Sequence, residues 1–188
     1  MGRWEPDARG RLEEAAAELY AERGFDETTV ADIAGRAGLT ERTFFRHFAD
    51  KRDVLFSGSE RFQSAFVQPV IDAPPSSSPV EAVVAGLSSA GSLMQENRSP
   101  EFARRRARII AANADLRERE LMKFATLASA LSEVLRQRGV NEPAASLVSE
   151  VATSLFRVAF DRWIDESNQR GLPELISESL DQLRTILR

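Results

Sequence analysis

The stretch TTVADIAGRAGLTERTFFRHF, residues 28–48, decides the fold of the N-terminal part of this chain. It contains two short helix signals that are separated by a glycine turn. Thr29, followed three positions later by Asp32, can form a capping box at the first helix, and Thr40 can cap the second. Gly38 ends the first helix because glycine readily adopts the left-handed conformation found after helix C-termini. The stretch therefore predicts two consecutive helices joined by a tight turn.

The second helix has one apolar face and one basic face. Phe44 and Phe48 are four residues apart and share the face that should pack inward. The outward-facing and flanking residues are Arg42, Thr43, Phe45, Arg46 and His47. A helix pair of this kind is typical of helix-turn-helix proteins, whose second helix enters the DNA major groove. There an arginine can bind guanine through two hydrogen bonds, and a threonine methyl can contact the thymine methyl.

The charge of this region fits DNA better than the charge of the whole chain does. The net charge is −4, which argues mildly against DNA binding. Residues 36–52, however, contain five basic and two acidic residues. Phosphate binding depends on such local charge rather than on net charge. Two further candidates for phosphate contact are Lys51 and the start of the helix at Thr29, where the first N–H groups have no hydrogen-bond partner within the helix.

The remainder of the chain is predicted to be helical as well. Helical periodicity continues to the C-terminus, and strand signals are nearly absent. About nine helices are expected, the fourth at about 51–67. The eighth, at about 143–169, is apolar on more than one side, and the ninth, at about 172–187, has one apolar stripe. We predict an all-α fold with a helix-turn-helix domain at 1–52 and a helical sensing and dimerisation domain at 53–188.

Composition argues against several classes of function. The chain has no cysteine, which excludes thiol catalysis and fits a reducing cytoplasm. Its single histidine, His47, lies among basic residues with no acid positioned to orient it. No apolar run approaches the roughly 20 residues that span a membrane. We therefore expect a cytoplasmic protein without metal or cofactor that is neither an enzyme nor a membrane protein.

One segment resembles a known family. Residues 24–56, GFDETTVADIAGRAGLTERTFFRHFADKRDVLF, are similar to the N-terminal domain of TetR-type transcriptional regulators. The resemblance implies a homodimer that binds a palindromic operator, usually as a repressor, and that a small-molecule effector releases. An alternative with the same fold is a DNA-binding adaptor that recruits a protein partner and senses no ligand.

The resemblance also implies roles for single residues. Arg42 and Thr43 are expected to face base edges, and Arg46 and His47 to contact phosphate or a base. Contacts to or near the DNA backbone are expected for Thr29, Thr40 and Lys51. Phe45 stands where the family usually has a tyrosine that binds phosphate, so only an apolar or thymine-methyl contact remains. Arg42 stands where glycine is common, so the operators of relatives cannot be assumed for this chain.

The family resemblance places the dimer interface on the last two helices. The residues predicted there are Val151, Leu155, Val158, Trp163, Leu175, Leu183 and Ile186. The alternative is that both helices pack within one subunit, which predicts a cleaner polar face on the eighth helix than the sequence has.

A ligand pocket is implied among the fifth to eighth helices. Its candidate residues are Met94, Phe102, Phe124, Phe156, Arg157 and Trp163. The alternative is that these aromatic residues form plain core. Arg157 interrupts the apolar run SLFRVAF; if buried, it needs an acid such as Asp161 or a ligand anion, whereas if exposed it carries little information.

Overall fold

The structure, a computed structural model, describes residues 8–187, and these residues form helices and loops without a strand. The helices are α1 (Ala8–Arg23), α2 (Val30–Arg36), α3 (Glu41–His47), α4 (Asp53–Phe56), α5 (Ser59–Asp72), α6 (Pro79–Asn97), α7 (Pro100–Ala112), α8 (Ala114–Gln137), α9 (Ala144–Trp163) and α10 (Leu172–Ile186). The all-α prediction is confirmed.

The described chain divides into two compact units. Unit 1 contains residues 8–58 and 105–118, and unit 2 contains residues 59–104 and 119–187. Helices α7 and α8 thus contribute residues to both units. The predicted domain boundary at residue 52 stays a prediction.

Unit 1 is built around the apolar faces of α1, α2 and α3. Its fully buried large side chains include Leu12, Leu19, Ile33 and Phe44. Partners in the same core come from α4 and from the 105–118 segment, among them Val54, Phe56, Ile109, Ile110 and Leu116. This core holds the short helices α2 and α3 in place, because helices of seven residues are not stable alone in water.

Unit 2 packs α6 closely against its neighbours through small residues. A Cβ added at Gly86 would lie 2.3 Å from the backbone oxygen of Phe66 on α5, so the two helices meet where α6 lacks a side chain. A Cβ added at Gly91 would lie 2.7 Å from the Ile176 side chain on α10. The end of α9 is joined to α10 by Arg162, which forms a 2.8 Å ion pair with Glu178.

Within residues 8–187 the predicted fourth helix is divided into two helical segments, α4 and α5. Helix α4 is a single turn, and α5 starts only after Ser57 and Gly58. The Ser57 carbonyl accepts a 2.6 Å hydrogen bond from Arg9, and Gly58 has a low helix propensity. Together these features explain why one helix does not continue through this segment.

The predicted eighth helix ends earlier than expected. It corresponds to α9, which ends at Trp163 instead of about residue 169. The following residues form a turn in which the N–H of Ser167 donates to Asp165 Oδ1 at 2.8 Å. The Asn168 amide donates to the Arg170 carbonyl at 2.8 Å. Such local side-chain hydrogen bonds compete with helix formation.

Candidate nucleic-acid interface

Helices α2 and α3 begin at the predicted caps. The Asp32 N–H donates to Thr29 Oγ1 at 3.1 Å, and the Thr29 N–H donates to Asp32 Oδ2 at 3.0 Å, which is a capping box. Hydrogen bonds from Thr29 lower the pKa of Asp32, so its charge is kept at the positive end of α2. Thr40 Oγ1 accepts the Thr43 N–H at 3.2 Å at the start of α3. Both predicted caps are confirmed.

The turn between α2 and α3 depends on a glycine and on an arginine from α1. Gly38 has a φ of +65°, in the left-handed region. The Arg11 guanidinium donates a hydrogen bond to the Ala37 carbonyl directly before it. This role of Arg11 could not be predicted from the sequence, because its partner lies 26 residues further along the chain. Arg11 thereby ties the end of α2 to α1.

Replacing Gly38 with alanine is expected to destabilise the protein by about 1 kcal/mol or more. The added Cβ would strain the left-handed backbone and would lie 2.9 Å from an Arg11 nitrogen. The matched control is Gly35→Ala in α2, where the added Cβ meets no atom within 4 Å. There a gain of about 0.5–1 kcal/mol is expected from helix propensity. Urea denaturation followed by circular dichroism measures both; a loss of equal size at the two positions would contradict this account of the turn.

The buried and exposed faces of α3 lie where the sequence predicted them. Phe44 and Phe48 are buried, and Phe44 contacts the core that contains Ile33. Phe45 is 55% exposed although it neighbours Phe44, whose ring it meets nearly edge-on at 5.5 Å. The outward surface of α3 therefore combines one aromatic ring with polar and charged side chains.

Two of the five basic residues around α3 are paired within unit 1. Arg36 forms ion pairs with Glu18 at 3.1 Å and with Glu22 at 2.8 Å. The hydrogen bond to Glu22 contributes most to raising the pKa of Arg36. Arg52 donates two hydrogen bonds to Asp50, at 3.0 and 2.8 Å. These pairs offset much of the local positive charge that the sequence contains.

The third basic residue, Lys51, is held by the backbone of the loop after α1. Its ammonium donates to the carbonyls of Phe25, Asp26 and Thr28 at 2.9, 3.0 and 3.0 Å. It also lies 4.5 Å from the centre of the Phe25 ring. In the other direction, the Lys51 carbonyl accepts a 2.5 Å hydrogen bond from Tyr20. Lys51 thus stabilises unit 1, and its contact with a phosphate stays a prediction.

Arg42 and Arg46 form the charged outer face of α3. Both side chains are exposed, and within residues 8–187 neither guanidinium has an ion-pair partner. One Arg46 nitrogen lies 3.5 Å from Nε2 of His47. Thr43 is half-buried, and its Oγ1 lies 3.0 Å from that of Thr40. Two exposed arginines without ion-pair partners, about one helical turn apart, can donate hydrogen bonds to phosphate or to guanine.

The chain matches two family models. The first, described as bacterial regulatory proteins of the tetR family, matches residues 12–57. The second, described as the MftR C-terminal domain, matches residues 77–188, which is more than half of the chain. The chain belongs to the TetR family of transcriptional regulators. The predicted resemblance is confirmed by both matches.

Individual TetR-family proteins are similar over different lengths. The regulator TcmR of Streptomyces glaucescens is 35% identical over 75 residues, which cover 40% of this chain and 33% of TcmR. The putative mycofactocin biosynthesis regulator MftR of Mycobacterium tuberculosis is 25% identical over 171 residues, 89% of this chain and 85% of MftR. The solved structure of FadR from Bacillus subtilis with stearoyl-CoA has a TM-score of 0.63 at 20% identity, covering 93% of this chain and 96% of FadR. This likeness shows the fold alone.

The residues predicted to form an effector pocket in this TetR-family chain lie in unit 2, several of them in an aromatic cluster. Phe156 and Trp163 are buried, whereas Phe124 is half-buried. Met94 packs against the hydrophobic core of unit 2. The centre of the Phe102 ring lies 4.8 Å from the guanidinium carbon of Arg98. Arg157 is exposed, so it does not need the buried acid partner that the sequence suggested.

The residues predicted at the TetR-type dimer interface fall into two groups. Leu155, Trp163 and Leu175 are buried in the core of unit 2. Leu183 packs partly against that core. Val151, Val158 and Ile186 are exposed, at 41%, 53% and 80%, as are Leu147 and Leu187. On α9, Leu147, Val151 and Val158 share one face at four- and seven-residue spacing. This apolar face of α9 is not buried within unit 2 and is therefore available for contact with a second subunit.

Residues 8–187 contain no group of three acidic or histidine side chains that could hold a metal ion. Within the same residues no helix is both long and apolar enough to cross a bilayer.

Proposed function

We propose that this TetR-family chain represses transcription by binding a palindromic operator as a homodimer, and that a small-molecule effector releases it. The observation that supports the proposal is the pair of exposed guanidiniums of Arg42 and Arg46 on α3, which have no ion-pair partner within residues 8–187. Their neighbours Arg36 and Arg52 are neutralised by acids, so the free positive charge points outward from the second helix of the motif. A cytoplasmic location is part of the proposal, since its target is the chromosome.

The spacing of these side chains suggests what the operator half-site contains. Arg42 and Arg46 are four residues apart, which corresponds to a rise of about 6 Å along α3. Two base-pair steps rise by about 6.8 Å, so both arginines can reach guanines about two base pairs apart in one groove. Thr43 and Phe45 flank the arginines and offer apolar contact to thymine methyl groups. Contacts to the DNA backbone are proposed for Thr29, Thr40, His47 and Lys51.

The exposed apolar residues of α9 and α10 support the dimer. Val151 and Val158 lie on one face of α9, and Ile186 is exposed at the end of α10. Contiguous exposed apolar surface on a regulator marks an interaction site. A symmetric pairing of these helices would place two recognition helices about 34–36 Å apart, one turn of DNA.

Replacing Val151 and Val158 together with glutamate is expected to convert the dimer into monomers, because four carboxylates would meet in one apolar interface. Binding to a full palindromic site should fall at least tenfold, since the two half-sites would no longer be bound together. Analytical ultracentrifugation and DNA-binding anisotropy measure the two effects. The control is Met122→Glu, at an exposed apolar position on α8 that is 60% exposed. A dimer that persists in the double variant would refute this interface.

Effector binding is proposed for unit 2. FadR of Bacillus subtilis was solved with stearoyl-CoA, so an acyl-CoA is one candidate class of effector. The mechanism would be a population shift: the effector favours a dimer whose recognition helices no longer match the operator spacing.

A second candidate function is a DNA-binding adaptor that recruits a protein partner and senses no ligand. The observation in its favour is the exposed apolar pair Leu121 and Met122 on α8, at 59% and 60%. Release of the operator by a small molecule alone, in a purified system, decides for the repressor.

A further inference from the structure

A lysine of α8 lies over two aromatic rings of unit 2. The Lys123 ammonium is 4.7 Å from the centre of the Phe124 ring and 5.2 Å from that of Phe62. It also forms a 2.9 Å ion pair with Glu120 on the same helix. The Lys123 side chain is only 18% exposed, so its charge is held close to apolar surface.

A second cation approaches the same ring from α9. The guanidinium carbon of Arg157 lies 5.9 Å from the centre of the Phe124 ring. Asp161, one turn further along α9, is the carboxylate that interacts with Arg157. Partial burial raises the pKa of Asp161, and the positive charge of Arg157 opposes that rise. Two cations therefore face one half-buried ring, and each has a carboxylate nearby.

The ring that both cations face covers a buried aromatic cluster. Phe124 meets Phe62 edge-on at 6.3 Å. Behind it, Phe156 contacts both Phe62 and Phe66, at 5.0 and 5.1 Å. All three inner rings are buried. Two cations thus lie beside a single half-buried ring, and this ring covers a buried apolar cluster.

We propose that Lys123, Phe124 and Arg157 form the entrance of a site for an amphipathic anion. The head group, a carboxylate or a phosphate, binds between Lys123 and Arg157. The apolar chain displaces the Phe124 ring and packs against Phe62 and Phe156. Binding is favoured by charge-assisted hydrogen bonds from two cations to one anion and by burial of the apolar chain. The inference rests on the proposed function, since it names the class of effector.

The head group must compete with the carboxylates that are already present. Glu120 holds Lys123, and Asp161 lies near Arg157. A doubly charged head group interacts more strongly with the two cations than a singly charged one does. Decyl phosphate is therefore expected to bind more tightly than decanoate, and decyltrimethylammonium is expected not to bind.

Isothermal titration of the full chain with these three amphiphiles tests the proposal. The double variant Lys123→Gln with Arg157→Gln is expected to bind decyl phosphate at least tenfold more weakly than the unmodified chain. Its control, Arg61→Gln with Arg136→Gln, removes the same charge from two exposed positions elsewhere in unit 2 and should bind normally. Decanoate and decyl phosphate together distinguish a carboxylate from a phosphate head group.

Operator binding without amphiphile is measured for every variant, so that the two proposals can fail separately. If the unmodified chain binds its operator but neither anion, the effector site is refuted and the regulator stands. Equal binding of the cationic amphiphile, or equal loss in both double variants, would also refute the site. If the chain binds the anions but no operator, the proposed function fails while the site stands.

Discussion

Replacing Arg42 and Arg46 together with alanine is expected to weaken operator binding at least about 100-fold. A guanine contact by arginine contributes about 1–3 kcal/mol, and the dimer loses four such side chains at once. At about 1.4 kcal/mol for each tenfold change in affinity, even the lower value exceeds a factor of 100. Fluorescence anisotropy with a labelled operator, repeated at several salt concentrations, gives both the affinity and its salt dependence. Each lost phosphate contact should reduce the salt slope by about one.

The matched control for this experiment lies in the same basic segment. Arg36→Ala with Arg52→Ala removes the same charge, but from guanidiniums that are already bound to Glu22 and Asp50. Operator affinity is expected to change less than about fivefold, because exposed ion pairs contribute little and neither cation is available to DNA. Thermal melting confirms that both variants fold. If the two double variants lose affinity equally, generic charge rather than the α3 surface binds DNA.

Replacing Phe44 with alanine is expected to reduce the free energy of unfolding by about 3–5 kcal/mol. The Phe44 side chain is fully buried in unit 1, so its removal loses apolar burial and leaves a cavity. Because α3 is only seven residues long, it depends on this packing for its position. Operator binding should therefore be lost together with stability. Urea denaturation followed by circular dichroism measures the change.

The adjacent residue provides the control. Phe45 is 55% exposed, and its replacement by alanine is expected to cost less than about 1 kcal/mol of stability. Its effect should appear in DNA binding instead, as a weaker preference for thymine near the arginine contacts. A large loss of stability from Phe45→Ala, with little from Phe44→Ala, would mean that α3 presents the opposite face.

The local structural features of α2 and α3 could be predicted from the sequence. Caps at Thr29 and Thr40, the turn at Gly38 and the inward face of Phe44 depend on residues a few positions apart, so the sequence pattern contains them. The break between α4 and α5 could not be predicted from the sequence. The helical pattern is continuous there and does not reveal that Arg9 donates a hydrogen bond to the Ser57 carbonyl.

The state of the charged residues could not be predicted in this way. The sequence places Arg36, Arg42, Arg46, Lys51 and Arg52 in one basic segment. Which of them are free depends on partners from other helices and loops, such as Glu22 for Arg36, 14 residues away, and the Thr28 carbonyl for Lys51, 23 residues away. Likewise, apolarity alone does not distinguish buried Leu155 from exposed Val151 on the same helix.

A pull-down of genomic DNA fragments with the purified chain at moderate salt, followed by sequencing of the bound DNA, tests whether α3 reads DNA. We expect an enriched palindromic site, with guanines in each half-site and half-sites one helical turn apart. Enrichment should disappear in the variant that lacks Arg42 and Arg46. Fragments bound without any shared sequence, or binding that persists in that variant, would contradict the claim that α3 reads DNA.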